Sequence, residues 1–414
     1  MKILFRLIFL SVLISFFSCD NGAELPAPSG TSDTVDPDSP EWVSTNQQFS
    51  LNMMKELFSV KGQENIFFSP LSIEMALSMT ANGAEGNTQT EMRQALGQQN
   101  FTTEAVNKQF QTLMDNLPER DNFKINLANS IWYKNTFEVK PDFLQTNQSF
   151  YEAEVSALDL TAPDAPNQIN QWVSNATEGK IPKVLDQIKQ DDIMFLINAI
   201  YFEAAWKDSF PVFDTKDQLF SVNGDSPQLR KFMKLKKTYP YLETDDFQAV
   251  SLPYAVDDYA MTIFLPSEGS SLGNLVNSLS ASQMDEYLSQ LSEAEVYLRL
   301  PRFSMEFEQS LKTMLANMGM KAAFQPQQAD LTSISETGDL YVSEVKHNSF
   351  LQVYEQGTIA AAATTVAVGT TSIEIPNGDY IMDVDRPFLL MIHQQSTSRI
   401  LFMGSIQNPE PIND

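Results

Sequence analysis

Apolar residues repeat at helical spacing in five segments of the chain. The first helix is predicted at residues 44–60, where Met53 and Leu57 are four residues apart and would share one face. A second helix is predicted to begin at Ser69-Pro70, because serine is a good N-cap and proline fits the first turn. The same spacing predicts further helices at residues 142–150, 166–178 and 309–318.

Five other segments are rich in β-branched and aromatic residues, often in alternation with polar ones, as strands are. These strands are predicted at residues 124–132, 193–202, 260–265, 295–303 and 340–353. Helices and strands are mixed along the chain, so the predicted fold class is α+β. With 414 residues, 43% of them apolar, the chain can bury a large core in one big domain or two ordinary ones.

The first 18 residues have the layout of an export signal. Lys2 and Arg6 flank an apolar run at residues 3–17 that is too short to span a bilayer. The run ends at Ser18-Cys19, which resembles a bacterial lipoprotein signal. The resemblance implies that Cys19 is lipidated and becomes the first mature residue. Ordinary cleavage nearby is the alternative, and it would leave a free or absent thiol.

Residues 19–40 are predicted to form a flexible tether. Pro, Gly, Ser, Thr and Asp dominate this stretch, so little apolar burial can offset the entropy of ordering it. Signal and tether together predict an exported lipoprotein, anchored through its N-terminal lipid to a membrane of the bacterial cell envelope, at the outer membrane or the cell surface. Cys19 is the only cysteine of the chain, so no internal disulfide can form.

The chain is strongly acidic, with a formal net charge of -26. This charge would repel phosphate backbones and anionic lipid head groups, so nucleic-acid binding has almost no electrostatic support. The acidity is typical of a soluble exterior, and a specific basic partner is the alternative explanation. We expect a monomer that binds no nucleic acid.

Catalytic and metal-binding signatures are missing from the sequence. It contains two histidines, His347 and His393, and no Gly-x-Ser-x-Gly elbow, P-loop, His-Glu-x-x-His motif or calcium-loop spacing. A catalytic triad or a metal site would need ligands that these residues do not supply. We therefore expect neither enzymatic activity nor a metal or cofactor.

Residues 357–373, which read GTIAAAATTVAVGTTSI, contain neither a charge nor a proline. At period two, one face of this segment would begin with Thr358 and end with Val368, so it starts small and ends β-branched. An ordinary buried strand with its loop is the alternative. However, the run is about three times the usual strand length, and the acidic stretch at 374–379 that follows must be exposed. The segment is predicted to be able to become a strand without always being one.

Motifs along the chain resemble those of one family. The small-residue segment lies between Glu355-x-Gly357-Thr358 and the pair Arg386-Pro387-Phe388-Leu389 and Phe402-Met403-Gly404. Four further motifs follow the family order: Asn65-Ile66-Phe67-Phe68-Ser69-Pro70-Leu71-Ser72-Ile73; Trp172 with Thr177-x-Gly179-Lys180-Ile181-Pro182; Asn198-Ala199-Ile200-Tyr201-Phe202 with Trp206-Lys207; and Leu300-Pro301-Arg302-Phe303. Over residues 42–409 the chain resembles the serpins, a family of serine protease inhibitors.

The resemblance implies the serpin fold, with a large central β-sheet, further β-sheets, about eight or nine helices and an exposed reactive-centre loop. The serpin domain would cover residues 41–414, with the loop at about 356–379. The implied activity is that of an irreversible suicide-substrate inhibitor. A target protease attacks the loop and becomes covalently attached, and the cut loop then enters the central sheet as a new strand and traps the acyl-enzyme.

The resemblance assigns the hinge of this loop to Glu355, Gly357, Thr358, Ala360, Ala361, Ala362 and Ala363. Gly357 would permit a sharp turn. Thr358 would enter the sheet first, so a charge or a large side chain there would slow insertion. Ile359 departs from the acidic residue often found at its position, but its side chain would face away from the core after insertion.

The family pattern also implies residues that control sheet opening: Ser69, Ser72, Asn198 and His347 as a polar cluster under the strands that must part, with Trp206 and Arg302 near the insertion point. Arg302 would pair with Glu355, and an exposed ion pair of this kind contributes little stability. A lone histidine is usually only a satisfied core residue, so the role of His347 rests on the resemblance.

The scissile bond is predicted at Thr371-Ser372 by counting sixteen residues from Glu355. Counting back from Pro387 places it near Pro376 instead, and the neighbouring bonds at residues 368–373 stay open. A small or β-branched residue before the cut suits elastase-like, subtilisin-like or papain-like proteases. Trypsin-like targets are disfavoured, because residues 356–384 contain no Lys or Arg.

Two other functions stay open at the sequence level. A serpin-fold lipoprotein that does not trap proteases would act as a binding module or a chaperone, and its loop would be cut cleanly. A surface lipoprotein that binds glycans or nutrients would need aromatic binding platforms.

Overall fold

The computed structural model describes residues 36–118, 120–190, 192–222, 227–336, 340–358 and 379–412. Several predicted features lie outside this part of the chain: the signal, Cys19, most of the tether, Ala360, Ala361, Ala362, Ala363, Thr371 and Ser372. The structure therefore bears on the two ends of the predicted loop and on the sheets and helices around them.

Nine α-helices lie in the described residues, as the resemblance implies. They are α1 Pro40–Lys61, α2 Pro70–Ala81, α3 Gly86–Ala95, α4 Thr103–Asp115, α5 Pro141–Tyr151, α6 Ala165–Ala176, α7 Leu272–Ser278, α8 Ala281–Gln290 and α9 Lys312–Asn317. Ser69 caps α2, because its hydroxyl accepts a hydrogen bond from the backbone N–H of Ser72 at 3.1 Å. Pro70 occupies the first turn of α2, where its missing N–H removes no hydrogen bond.

Fifteen strands alternate with these helices. They are β1 Ile66–Phe68, β2 Phe123–Lys134, β3 Glu154–Leu158, β4 Met194–Ala205, β5 Lys216–Phe220, β6 Gln228–Glu243, β7 Phe247–Pro253, β8 Tyr259–Pro266, β9 Ser292–Pro301, β10 Phe303–Ser310, β11 Lys346–Tyr354, β12 Gly357–Thr358, β13 Tyr380–Asp383, β14 Phe388–Gln394 and β15 Ile400–Ile406. The α+β class is confirmed.

The strands form two sheets. A six-stranded sheet has the order β10-β11-β12-β4-β2-β3, and its neighbours are antiparallel except for β2 and β3. A nine-stranded sheet has the order β1-β15-β14-β8-β7-β6-β9-β13, with β5 paired to β6 at its side. Strands β8, β14 and β15 are buried on both faces, which is why their sequences are continuous apolar runs.

The predicted strand at residues 295–303 is two strands that belong to different sheets. Strand β9 ends at Pro301 and pairs with β6, whereas β10 begins at Phe303 and pairs with β11. The chain changes sheet at Arg302, whose N–H donates to the carbonyl of Lys231 at 2.8 Å. Local sequence carries no sign of this change, because both strands are rich in the same residue types.

Two further predicted boundaries are wrong. The helix predicted at residues 309–318 begins only at Lys312, because Gln309 and Ser310 continue the pairing of β10 with β11. The strand predicted at residues 340–353 begins only at Lys346, where β10 becomes available as its partner. In both cases a neighbouring strand outweighs local propensity.

One large apolar core fills the space between the two sheets and the helices. Phe67 of β1 stacks on Phe402 of β15, with ring centroids 5.2 Å apart and planes 1° from parallel. A second, small core of Val173, Ile181 and Ala199 lies where α6 covers the six-stranded sheet. This second core becomes important at the candidate site.

The chain is packed onto the domain before α1 begins. Arg399 is 2% exposed, donates a hydrogen bond to the carbonyl of Pro37 and forms an ion pair with Asp38 at 3.0 Å. The last residues of the stretch predicted as tether therefore belong to the folded domain.

Candidate functional site: the gap in the six-stranded sheet

Strand β12 enters the six-stranded sheet between β11 and β4. Thr358 pairs with Val353 on one side and Ala204 on the other, and both Gly357 and Thr358 are buried. Within the predicted loop at about 356–379, residues 357 and 358 are therefore in the sheet and not exposed. Its proximal end is already a short strand, because two residues find ladder partners on both sides.

Gly357 is required at this position for a different reason from the one the sequence suggested. Its φ angle is not in the left-handed region, so conformational freedom is not what the site needs. A Cβ atom at residue 357 would lie 2.2 Å from the carbonyl oxygen of Ala204 and 2.9 Å from the Cα of Ala205. Glycine is needed because the β4 backbone passes too close for any side chain.

The side chain of Tyr254 contacts the hydroxyl of Thr358, and that of Trp206 supports Tyr254. The hydroxyl groups of Tyr254 and Thr358 are 2.8 Å apart, and burial raises the pKa of Tyr254. Tyr254 stacks on Trp206, with ring centroids 4.8 Å apart and planes 8° from parallel, and the indole N–H of Trp206 donates to the carbonyl of Tyr354 at 2.9 Å. Sequence reasoning found Trp206 but missed Tyr254, because Tyr254 follows β7 in an isolated bridge that has no periodic signal.

Glu355 is buried, whereas the sequence suggested that it forms an exposed ion pair. It is 3% exposed, accepts a hydrogen bond from the hydroxyl of Thr215 at 2.7 Å, and lies 3.7 Å from the guanidinium of Arg302. The Glu355 carbonyl also accepts the N–H of Phe210 at 2.8 Å. A buried carboxylate with these partners costs more to disrupt than an exposed ion pair, since its charge would otherwise lose water without compensation.

The structure brings the four residues of the predicted polar cluster together. His347 of β11 accepts the backbone N–H of Ser69 at its Nε2 atom, at 3.2 Å. The hydroxyl of Ser72 donates to the side-chain oxygen of Asn198 in β4. Asn198 then donates to the side-chain oxygen of Asn129 in β2 at 2.6 Å, and Asn129 is the member that sequence reasoning missed. The N-terminus of α2 thereby contacts both strands that border the gap.

His347 is neutral in this position. Burial lowers its pKa to about 4, and its Nε2 atom accepts a hydrogen bond, which a protonated imidazole could not do. The neutral ring therefore carries its proton on Nδ1. Protonation would break the bond to Ser69 and place an uncompensated charge beneath the sheet.

Away from β12, towards Asn198 of β4 and His347 of β11, the two strands are separated. In the described part of the sheet, their ladder connection runs through the two residues of β12 alone. A cavity of about 380 Å³ lies between them, and its lining includes Asn198 and Ala199 of β4 and His347 and Asn348 of β11. At the edge of the cavity, β12 takes the place of one strand between β11 and β4.

Helix α6 and the chain after it cover this gap. Val173, Ile181 and Val184 line the cavity, and Val173 and Ile181 belong to the small second core. Asn170 holds the cover in shape, because its side-chain oxygen accepts the N–H groups of Val184 and Leu185 at 2.8 and 2.9 Å.

The described ranges contain no group of three or more His, Cys, Asp or Glu side chains that could hold a metal ion. Within the same ranges, every helix is too short or too polar to cross a bilayer.

The fold and the site define an α+β protein in which the two-residue strand β12 lies between β11 and β4 next to a cavity. The family model described as Serpin (serine protease inhibitor) matches residues 44–409, and the chain belongs to this family. The family and the serpin fold implied by the sequence motifs are confirmed.

Relatives and solved structures agree with this assignment. The leukocyte elastase inhibitor of Sus scrofa is 34% identical over 380 residues, which cover 88% of this chain and 99% of that protein. The human protein of the same name is 33% identical over 380 residues, with the same coverage. The crystal structure of the thermophilic serpin tengpin in the native state matches with a TM-score of 0.82 and 31% identity, covering 91% of this chain and 96% of that one.

Proposed function

We propose that this protein is an irreversible suicide-substrate inhibitor of serine endopeptidases, and also of papain-like cysteine endopeptidases, and is not an enzyme. The observation that carries the proposal is the seated hinge: Thr358 occupies the upper end of a gap between β4 and β11, and the chain that follows Thr358 is small and uncharged. One further strand would satisfy the free ladder groups of both neighbours.

The mechanism begins with attack of the protease nucleophile on the carbonyl carbon of Thr371. The peptide bond to Ser372 breaks, the new amine takes a proton and leaves, and Thr371 stays attached to the enzyme as an acyl ester or thioester. The chain between Thr358 and Thr371 is then free at one end. Its 14 residues can extend β12 down the gap by about 45 Å, at about 3.3 Å a residue.

Insertion is favourable because the strands on both sides of the gap supply hydrogen-bond partners for the backbone of the segment. The segment exchanges solvated backbone groups for ladder hydrogen bonds, and the side chains of Ala360 and Ala362 carry no charge to desolvate. The attached protease is carried to the far end of the sheet and distorted before water can hydrolyse the acyl bond. The polar cluster of His347 and Asn198 would control how readily β11 and β4 part.

The target class follows from the residues around the cut. Threonine, serine, valine and glycine dominate residues 366–372, and these suit shallow, apolar specificity pockets such as those of elastase-like or subtilisin-like enzymes. The names of the curated relatives, which are leukocyte elastase inhibitors, support the same class. The first 40 residues support export and anchoring at the cell envelope through a lipid on Cys19.

The test is to incubate the domain, residues 36–414, with a panel that contains elastase, subtilisin, papain and trypsin. We expect elastase or subtilisin to give a covalent complex that survives boiling in detergent, and mass spectrometry of the released C-terminal peptide to start at Ser372. The matched control is Thr358→Arg, which places a charge at a buried position. This variant should be cut at the same bond without forming the complex.

Clean cutting of the unaltered protein by every protease in the panel, with no covalent band, would contradict the proposal. It would favour the serpin-fold binding or chaperone role instead. The lipid is tested separately: metabolic labelling with palmitate in a bacterial host should mark the full chain and not the Cys19→Ser variant.

A further inference from the structure

The hairpin of β5 and β6 displays an unusual pair of leucines. Leu219 and Leu229 are direct partners across the two strands and are 55% and 64% exposed. Val212 and Phe213, in the turn that precedes β5, are 51% and 43% exposed. Four of the seven large apolar side chains that are exposed in the described residues therefore lie at positions 212–229.

An ion pair borders this surface. Asp217 and Lys231 occupy the next positions on the same face of the hairpin, two residues from the leucines, and their charged groups are 3.4 Å apart. Apolar side chains rimmed by charge, on a strand whose outer edge is unpaired within the described chain, are typical of an interaction surface. A single exposed residue such as Val60 on α1 needs no such explanation.

Residues on either side of β5 form hydrogen bonds near the two ends of the bait segment, which is the predicted reactive-centre loop at about 356–379. Just before β5, the hydroxyl of Thr215 donates to Glu355, three residues ahead of Thr358 in β12. Just after β5, the N–H of Ser221 donates to the carbonyl of Asp385, which follows β13, the strand by which the chain returns. Leu219 lies on β5, between these two attachments, and Leu229 is its direct partner on β6.

The length of the bait limits how far a bound protease can be from this surface. Thr371 precedes Asp379 by eight residues, so its carbonyl lies at most about 29 Å from that residue even in a fully extended chain. A protease domain of about 230 residues has a radius of gyration near 17 Å and is about 45 Å across. An enzyme of this width that holds Thr371 in its active site is large enough to reach the two attachment points.

We propose that Leu219 and Leu229, together with Val212 and Phe213, form a secondary docking surface that the target protease contacts while its active site holds the bait. The partner is an endopeptidase with an apolar patch beside its substrate cleft. This inference rests on the proposed inhibitory function and adds a second contact to it. The leucine surface raises the rate of productive encounter, and the bait residues determine which bond is cut.

The test compares the double variant Leu219→Ser, Leu229→Ser with the unaltered domain and with Val60→Ser as the matched control. The probe is the protease that the unaltered domain traps fastest in the panel described above. We expect the second-order rate constant of inhibition to fall about tenfold in the double variant, the effect of losing one good contact at an interface. The stoichiometry of inhibition, melting temperature and monomeric size should not change, and Val60→Ser should behave like the unaltered domain.

Three results would overturn the inference. An unchanged rate constant in the double variant would show that the protease does not use this surface. A raised stoichiometry of inhibition would show that the substitutions act through Glu355 and the hinge. A dimer of the unaltered domain that the double variant alone dissociates would make the surface an interface between copies of this chain.

A folding defect is separated from loss of docking by the single variant Leu229→Ala, which keeps the backbone and the ion pair. We expect about a threefold lower rate constant for this variant, with no change in melting temperature, and an unchanged rate would again contradict the inference. If the unaltered domain traps no protease at all, the proposed function fails and this inference falls with it. If the unaltered domain and the double variant trap the protease at the same rate, the proposed function stands and only the docking inference fails.

Discussion

At residue 357 the backbone of β12 passes so close to β4 that a Cβ atom would meet the Ala204 carbonyl at 2.2 Å. The contact makes glycine a steric requirement of the seated hinge. The sequence motif pointed to this glycine but suggested turn flexibility as its purpose. The distinction has a consequence that can be measured.

We expect Gly357→Ala to expel β12 from the sheet, because the new methyl group cannot share space with the β4 backbone. Thr358 would then lose its contact with Tyr254, which stacks on Trp206, so the tryptophan fluorescence should change. Inhibition should become less efficient, with more cut inhibitor per trapped enzyme. Gly273→Ala is the control, because the nearest atom to its Cβ would belong to the Phe58 ring, at 3.3 Å. An unchanged spectrum in Gly357→Ala would contradict the steric interpretation.

The two buried histidines make stability depend on pH. Burial lowers the pKa of His347 and of His393 from 6.5 to about 4, so between these pH values the unfolded chain binds more protons than the folded one. Stability is therefore lost as the pH falls from about 6.5 towards 4, by up to about 3 kcal/mol for each histidine. Glu74 acts in the opposite direction, because burial raises its pKa to about 8 and favours the folded state at lower pH.

Glu74 is present in the unaltered domain and in each histidine variant, so its contribution to the pH dependence cancels when their stabilities are compared. Denaturant midpoints measured from pH 7 to pH 4.5 should fall less steeply for His347→Gln and for His393→Gln than for the unaltered domain. His347 lies at the gap and His393 does not, so only His347→Gln should also change the rate of trapping at pH 7. Equal slopes in all three proteins would show that neither histidine is buried neutral.

At the scale of elements, neighbouring strands determined the bounds of several strands more than the local sequence pattern did. Helices α1, α2 and α5 lie where apolar spacing and capping residues predicted them. The division of residues 292–310 into β9 and β10 could not be predicted, because the change of sheet at Arg302 depends on the Lys231 carbonyl and not on local composition. Strand β12 is two residues long and exists only because β11 and β4 stand on both sides of it.

Helix α6 and the chain that follows it cover the gap, and Val173, Ile181 and Val184 line the cavity. We expect Asn170→Ala to loosen this cover, because it removes the acceptor of two backbone N–H groups and would cost about 1–3 kcal/mol of stability. The melting temperature should fall, and a synthetic peptide with the sequence of residues 358–371 should anneal to the sheet faster. Asn175→Ala is the control, because Asn175 bonds to the exposed Gln171 on the outer side of α6. A slower annealing rate would show that the cover assists insertion.

At the scale of the whole molecule, the chain is held in an arrangement that one cut should release. We expect the domain nicked at Thr371-Ser372 to melt at a higher temperature than the intact domain, since the inserted residues would gain ladder hydrogen bonds to β4 and β11. Calorimetry of the two forms measures this directly. A nicked domain with the same melting temperature would contradict the trapping mechanism, whichever protease made the cut.

The sequence by itself determined the family, the α+β class, the helix starts at Ser69-Pro70 and the uncharged segment after Thr358, because these depend on local composition and on the order of motifs. The tertiary structure decided that Gly357 and Thr358 are already in the sheet, that Glu355 is buried, and that Tyr254 and Asn129 belong to the site. These contacts join residues far apart in the chain. No local pattern encodes them, because each depends on which strand happens to be the neighbour.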